Sequence, residues 1–316
     1  MRYGFGVDIF GTNTKIGFFD ETGKLLDKWK MVTPMLHGGS MILPAVAEEI
    51  TAYIKHKRLN EEEIIGIGVG VPGPVNADGV VNKCVNFGWG VFNIDRALSG
   101  LTGFPVKSGN IASLSALGEC WQGNGTDNMI FVALNTGLGG AVVCGGRVAF
   151  GAHGGGGEFG HMIINRQEKE QCTCGRRGCA EQYCSPTGII RVARRHLLAT
   201  KTPSTLRLRP IFDYREVLDA AECGDKVARE IMSQVYDWAA QCLANVCAVT
   251  NPDTIILGGE FCRVGTSALE GISRNFGKYI FHANENVRFD FASLGTDACI
   301  YGAFKYLLDN RREDIF

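Results

Sequence analysis

Val7-Asp8-Ile9-Phe10-Gly11-Thr12-Asn13-Thr14-Lys15-Ile16-Gly17 reads as a strand, a Gly/Thr turn and a return strand. The same order comes back at Met129–Leu134, Asn135-Thr136-Gly137-Leu138-Gly139-Gly140 and Ala141–Cys144. One copy near the start of each half marks a duplicated α/β fold with a cleft between its halves. Gly-rich turns between strands aim several backbone N–H groups at one point, which makes an anion nest. Gly11 and Thr12, Thr136 and Gly137, and the pair Gly258-Gly259 after the apolar run Thr254–Leu257 are therefore candidate nucleotide-binding positions. Asp8, at the end of the first strand, can reach a Mg²⁺ shell, and Lys15 adds positive charge beside it. One such hairpin could serve turn geometry alone, but two in matched positions favour a nucleoside triphosphate.

Working outward, Tyr3–Asp8, Thr14–Phe19 and Leu25–Val32 form a three-stranded meander, with a turn at Asp20–Gly23. Ile42, Val46, Ile50 and Ile54 recur every four residues, the stripe of an amphipathic helix. Ile64–Val71 is continuously apolar, as in a strand buried on both faces, and Pro72-Gly73-Pro74 stops it. Asn110–Gln122 reads as a helix ending near Gly123. Lys226–Thr250 is a long helix with Ile231, Val235, Trp238, Leu243 and Val246 inward. A last helix over Asp297–Leu308 is expected to cross back onto the first domain. The expected division is 1–122 with 297–316, and 123–296.

The most restrictive chemistry lies at 157–184. Glu158-Phe159-Gly160-His161 is followed by Cys172-Thr173-Cys174-Gly175-Arg176-Arg177-Gly178-Cys179-Ala180-Glu181. Cys-x-Cys followed by Gly-x-x-Gly-Cys is far more restrictive than a lone Cys pair. His161, Cys172, Cys174 and Cys179 make a closed tetrahedral Zn²⁺ set with no open position for water, so the metal is structural. It would fix a loop bearing Glu158, Glu181 and the second nitrogen of His161.

Composition bounds the rest. The 316 residues suffice for two domains; 45% hydrophobic and 21% charged residues are those of a soluble globular chain. A formal net charge of −1 leaves no whole-chain footprint for nucleic acid or anionic membrane. Asp8 interrupts any signal-peptide core, and no run of about 18 apolar residues exists. The 12 cysteines are then read as reduced thiols of a cytoplasmic protein, with Cys242 and Cys247 buried on a helix.

Over essentially its whole length the chain resembles the ROK-family sugar kinases, of the bacterial glucokinase type. The match is carried by Asp8–Gly17, Val71-Pro72-Gly73-Pro74, Asn86–Trp89, Asn110–Glu119, Thr136–Gly140, Glu158–His161 and Cys172–Glu181. The resemblance implies an actin-like ATPase (ribonuclease H-like) fold of two domains, each on a mixed five-stranded sheet. It also implies hexose, glucose first, with Mg²⁺ and ATP, and a homodimer or tetramer. Asn110, Glu158, His161 and Glu181 match the family's sugar ligands, and His161 would serve zinc and sugar at once.

Several positions depart from the family. Its catalytic base is an Asp directly after the helix-opening Asn. Counting back from Ala116-Leu117-Gly118-Glu119, that position is Ile111, which can neither take a proton nor hold a hydroxyl. Phe10 and Asn135 replace glycines of the phosphate turns, and Glu260 follows Gly258-Gly259 where the family has Gly. The expectation is a hexose-binding protein of kinase descent, a pseudokinase with strongly impaired phosphoryl transfer. The alternatives are a working hexokinase with another base and, more remotely, a sugar-responsive regulator. Such regulators carry a DNA-reading helix pair ahead of the first turn, for which residues 1–7 leave no room.

Overall fold

The computed structural model describes residues 1–208, 211–259 and 266–311. The chain divides into two units, one of residues 1–127, 141–157 and 296–316, the other of residues 128–140 and 158–295. Residues 141–157, which the sequence places in the second half, cluster with the first unit. Two contacts that composition does not reveal hold the segment there: Gly146 N–H bonds Asp127 O at 2.9 Å, and the Phe150 ring lies 4.9 Å from that of Tyr306.

The first unit is built on β1 (Tyr3–Ile9), β2 (Asn13–Asp20), β3 (Leu25–Val32), β4 (Ile64–Val71) and β7 (Val106–Asn110). Between them run α1 (Ile42–Lys57), the short ribbon of β5 (Val80–Val81) and β6 (Phe92–Asn93), and α2 (Ile94–Thr102). The sheet order is β3-β2-β1-β4-β7. β1 runs antiparallel to β2 and parallel to β4, a register that puts Asp8 opposite both Lys15 and Gly70. β4 is buried at every residue, as its unbroken apolar sequence requires. On one face, Ile42, Val46, Ile50 and Ile54 of α1 pack with Phe5, Val7, Ile67 and Val69.

The other face is covered by α3 (Ile111–Gln122) and α9 (Ala298–Asp309). Ile300, Phe304 and Leu307 of α9 form a core with Phe19 and Ile65. The close approach is made by glycines. A Cβ on Gly302 would lie 1.6 Å from Leu114 O, and one on Gly118 would lie 2.1 Å from Ala298 O. Gly302→Ala therefore forces two backbones apart and is expected to cost about 2–3 kcal/mol. Urea denaturation would show it as a lower midpoint at unchanged slope.

The second sheet contains β8 (Met129–Leu134), β9 (Leu138–Cys144), β10 (Arg147–Val148), β11 (Thr254–Gly258) and β12 (Arg288–Phe291). Its order is β10-β9-β8-β11-β12, so both sheets place their strands third, second, first, fourth, fifth. That shared order is the duplication announced by the two Gly/Thr hairpins. The helices here are α4 (Glu181–Cys184), α5 (Pro186–Ala199), α6 (Tyr214–Glu222), α7 (Lys226–Thr250) and α8 (Thr266–Phe276). Ile231, Val235, Leu243 and Val246 of α7 are buried with Cys242 and Cys247, whereas Trp238 is half-buried with its ring 5.1 Å from that of Tyr183. Among the described residues, no helix is long and apolar enough to cross a membrane.

Candidate active site and metal centre

In the second unit the ligand atoms of His161, Cys172, Cys174 and Cys179 all lie within 4.8 Å of one another. Cys174 Sγ is 3.6 Å from Cys179 Sγ, and His161 Nδ1 is 3.8 Å from Cys172 Sγ. Zinc bonds of about 2.0–2.3 Å separate tetrahedral ligand atoms by about 3.3–3.8 Å, so the donor set and these two spacings suit that metal, while the widest pairs would draw in by about 1 Å around it. Burial raises the Cys174 thiol, but the backbone N–H and guanidinium of Arg176 overcome it and bring it down to about 7. A thiolate is therefore accessible near neutrality.

The loop is tied independently of any ion. Gln182 Oε1 accepts from Gly178 N–H (2.8 Å) and Cys179 N–H (3.1 Å), while its amide donates to Glu170 O. Behind it, Glu168 accepts two bonds from Arg195 (2.7 and 2.8 Å) and one from Tyr183 (2.5 Å). The Arg195 guanidinium holds the Glu168 carboxyl well below its usual range.

Both expected carboxylates border this knuckle. Glu158 Oε2 is 4.0 Å from His161 Nε2, the ring nitrogen turned away from Cys172. Glu181 opens α4; its Oε2 accepts from Leu138 N–H (3.0 Å) and its Oε1 from the Thr173 hydroxyl (3.1 Å). Thr136 and Gly137 are thus brought beside Glu181, a juxtaposition no local pattern signals. Gly259 has φ +85°, and a Cβ there would fall 2.6 Å from Leu134 O and 2.7 Å from Asn135 Oδ1. Gly258-Gly259 therefore lies against the second Gly/Thr turn. Glu260 lies outside the described residues.

The first unit carries Asp8, Gly11, Thr12, Lys15, Asn110 and Ile111. The first turn is fastened by Thr33, whose hydroxyl donates to Phe10 O (2.7 Å) and whose N–H donates to Thr12 O (3.2 Å). Phe10 itself is 40% exposed. Lys15 is buried, and its ammonium bonds Asp297 Oδ1 (2.7 Å), Thr296 Oγ1 (3.0 Å) and Thr296 O. Its charge is met by Thr296 and Asp297, the two residues just before α9, partners the sequence does not announce. Asp8 Oδ1 is buried with no hydrogen-bond partner. Burial pushes the Asp8 carboxyl up to about 6, against the pull of Lys15 and a hydrogen bond from Cys299. An orphaned carboxylate oxygen beside a Gly/Thr turn fits the water shell of Mg²⁺.

The raised Asp8 has a consequence for stability. Protons bind it more tightly in the folded than in the unfolded chain, so its contribution is most favourable below pH about 4 and is lost as pH rises through about 6. Asp8→Asn is expected to raise the melting temperature at pH 7.5 in Mg²⁺-free buffer, with the gain vanishing near pH 4. Thermal scans across that range check it.

Asn110 caps α3. Its Oδ1 accepts from Ala112 N–H (2.8 Å) and Ser113 N–H (3.3 Å), and its amide donates to Gly73 O (3.0 Å). One amide N–H is left for a ligand. Ile111 follows, half-buried, and packs with Phe150 and Tyr306 against Leu114, Cys299 and Ala303. Trp89 is buried and donates to Gly39 O at 3.0 Å, supporting the loop after Pro74. His153 is exposed.

Two sheets of identical order, Gly/Thr turns in both and a His/Cys₃ knuckle beside two carboxylates define a sugar-kinase-like class of actin-fold protein. The ROK family pattern matches residues 4–310, and the chain belongs to that family. It is 32% identical over 309 residues to the glucokinase of Halalkalibacterium halodurans, covering 95% of this chain and 93% of that one. It superposes with a TM-score of 0.75 and 28% identity on a ROK glucokinase from Streptomyces griseus in complex with glucose and AMPPNP, covering 95% and 97% of the two chains. It is also 25% identical over 275 residues to the xylose repressor of Caldicellulosiruptor bescii, covering 85% of this chain and 69% of that protein. The fold is therefore the actin-like ATPase fold of ROK sugar kinases.

Proposed function

We propose that this protein is a hexose binder of ATP-dependent hexose 6-kinase descent, glucose being the favoured sugar, with phosphoryl transfer strongly impaired. The observation that carries the reading is Ile111. An apolar side chain packed against Leu114 stands one residue after the Asn110 cap, where the family resemblance asks for a base. The knuckle and its carboxylates keep the residue types that bind a sugar.

In this reading Glu158, Glu181 and His161 Nε2 accept from or donate to sugar hydroxyls, and the last Asn110 N–H donates to one. Hydroxyls are both donors and acceptors, so carboxylates, an amide and an imidazole saturate them well. His161, Cys172, Cys174 and Cys179 would hold Zn²⁺, whose chemistry here is to fix the loop's shape. Asp8 would hold Mg²⁺ through its shell, where the ion neutralises phosphate charge. The turns at Gly11-Thr12, Thr136-Gly137 and Gly258-Gly259 offer N–H groups to phosphates. Nothing at 111 can accept the 6-hydroxyl proton. Cytoplasmic residence and a dimeric or tetrameric assembly belong to the same reading.

The test is isothermal titration with glucose and then Mg·ATP, beside an assay of hexose-dependent ADP release. Glucose binding with ADP release at the no-sugar level is expected. Hexose-dependent release at about 1–100 s⁻¹, the range of working kinases, would instead mean another base serves. Absence of any hexose binding would sink the reading altogether. The similarity to a xylose repressor favours a sugar-responsive regulator as the second reading; sugar binding with no nucleotide binding points there.

A further inference from the structure

Two residues of the segment that leaves the metal knuckle grip the second Gly/Thr turn. Glu181, two residues after Cys179, accepts Leu138 N–H on Oε2 while Oε1 holds Thr173, the residue between two knuckle cysteines. Thr187, in the first turn of α5, donates its hydroxyl to Thr136 O at 3.1 Å. That turn is itself anchored to α4, because Ser185 Oγ caps α5 by accepting Gly188 N–H (3.0 Å) and donates to Glu181 O (2.8 Å). Residues 136 and 138 are thus both fastened, and Gly137 lies between them. A Cβ on Gly137 would lie 2.4 Å from Glu181 Oε2, so the carboxylate and the turn meet only because that residue is glycine.

We infer that Glu181 and Thr187 are positioning residues that couple the metal knuckle to the second Gly/Thr turn, so that metal occupancy sets the affinity for nucleotide phosphate. The knuckle fixes Thr173 and the start of α4; these fix Glu181; Glu181 fixes the direction of Leu138 N–H and with it the turn. Each Glu181 oxygen keeps a further lone pair, so the same carboxylate can still accept a sugar hydroxyl. That the turn takes phosphate rests on the function proposed above. The coupling itself does not.

The experiment uses the full chain. Hydrogen exchange over residues 135–140 is compared between zinc-loaded and chelator-treated protein, and in Glu181→Ala, Glu181→Gln and Thr187→Val. Glucose and Mg·AMPPNP titrations accompany it. Chelation and Glu181→Ala should each speed exchange at Leu138 about tenfold, the loss of one hydrogen bond to a charged acceptor. Glu181→Gln keeps an acceptor oxygen and should restore both protection and AMPPNP affinity, though not full glucose affinity. Thr187→Val should weaken AMPPNP about three- to tenfold and leave glucose affinity unchanged, a split that general loosening would not give. Exchange over 135–140 that is indifferent to the chelator, to Glu181→Ala and to Thr187→Val overturns the inference. Should Glu181→Ala fail to fold, Thr187→Val and the chelator decide. Should the unmodified protein bind no nucleotide, the phosphate reading falls and the exchange results decide the coupling alone.

Discussion

Ile111→Asp is expected to raise hexose-dependent turnover about 10²- to 10⁴-fold, the range a positioned general base contributes. The position suits a carboxylate. Residue 111 is the first of α3, where the helix N-terminus favours negative charge. The neighbours Phe150 and Tyr306 would desolvate it and move its pKa toward neutrality, as a base requires. A carboxylate there also supplies an acceptor to a hydroxyl that isoleucine leaves unpaired, which costs about 1–3 kcal/mol. KM for the sugar should therefore fall as kcat rises. Steady-state kinetics on the single variant decide the matter. No gain in kcat would place the defect in the turns bearing Phe10 and Asn135 instead.

Stripping the metal should release the loop and abolish tight hexose binding. Zinc binding in small closed sites is itself folding free energy, and in the proposed reading it would bridge His161 to the cysteine arm. Cys179 is completely buried, so Cys179→Ser would place a hydroxyl among thiolates with no room for water. The two exposed arginines at the loop's tip, Arg176 and Arg177, supply a direct readout. Trypsin should cut there only after chelation or in Cys179→Ser, because an anchored turn resists proteolysis. Glucose affinity should fall at least tenfold in the same samples. A loop that stays uncut and a glucose affinity that stays put would show that the Glu168–Arg195 and Gln182 bonds suffice without the ion.

The strands and helices were legible because their patterns are local. Ile64–Val71 has no polar residue to turn outward, and the four-residue spacing of Ile42 to Ile54 admits only a helix. The duplication was legible because each sheet opens with the same strand–turn–strand unit. The clustering of His161, Cys172, Cys174 and Cys179 was legible because the four are close in sequence. The partners were not. Leu138 and Glu181 are 43 residues apart, and Lys15 and Asp297 are 282 apart, so neither contact leaves a trace in spacing. Lys15 read as a positive charge beside Asp8 at the nucleotide, and its ammonium is held by Thr296 and Asp297, just before α9. Thr173 and Thr187 gave no signal either, because a surface threonine looks the same whether or not it holds another loop.

The seating of α9 in its glycine-lined groove also dictates when this protein can fold during synthesis. Phe19 and Ile65 emerge early from the ribosome, but their cover, Ile300, Phe304 and Leu307, comes last. At about 5–20 residues per second, the interval between residues 127 and 296 is roughly 10–30 s. The unit that starts the chain must therefore wait with an open apolar face while residues 158–295 complete the other. Residues 158–295 are then expected to fold before α9 covers the N-terminal sheet, which stays open in the interval.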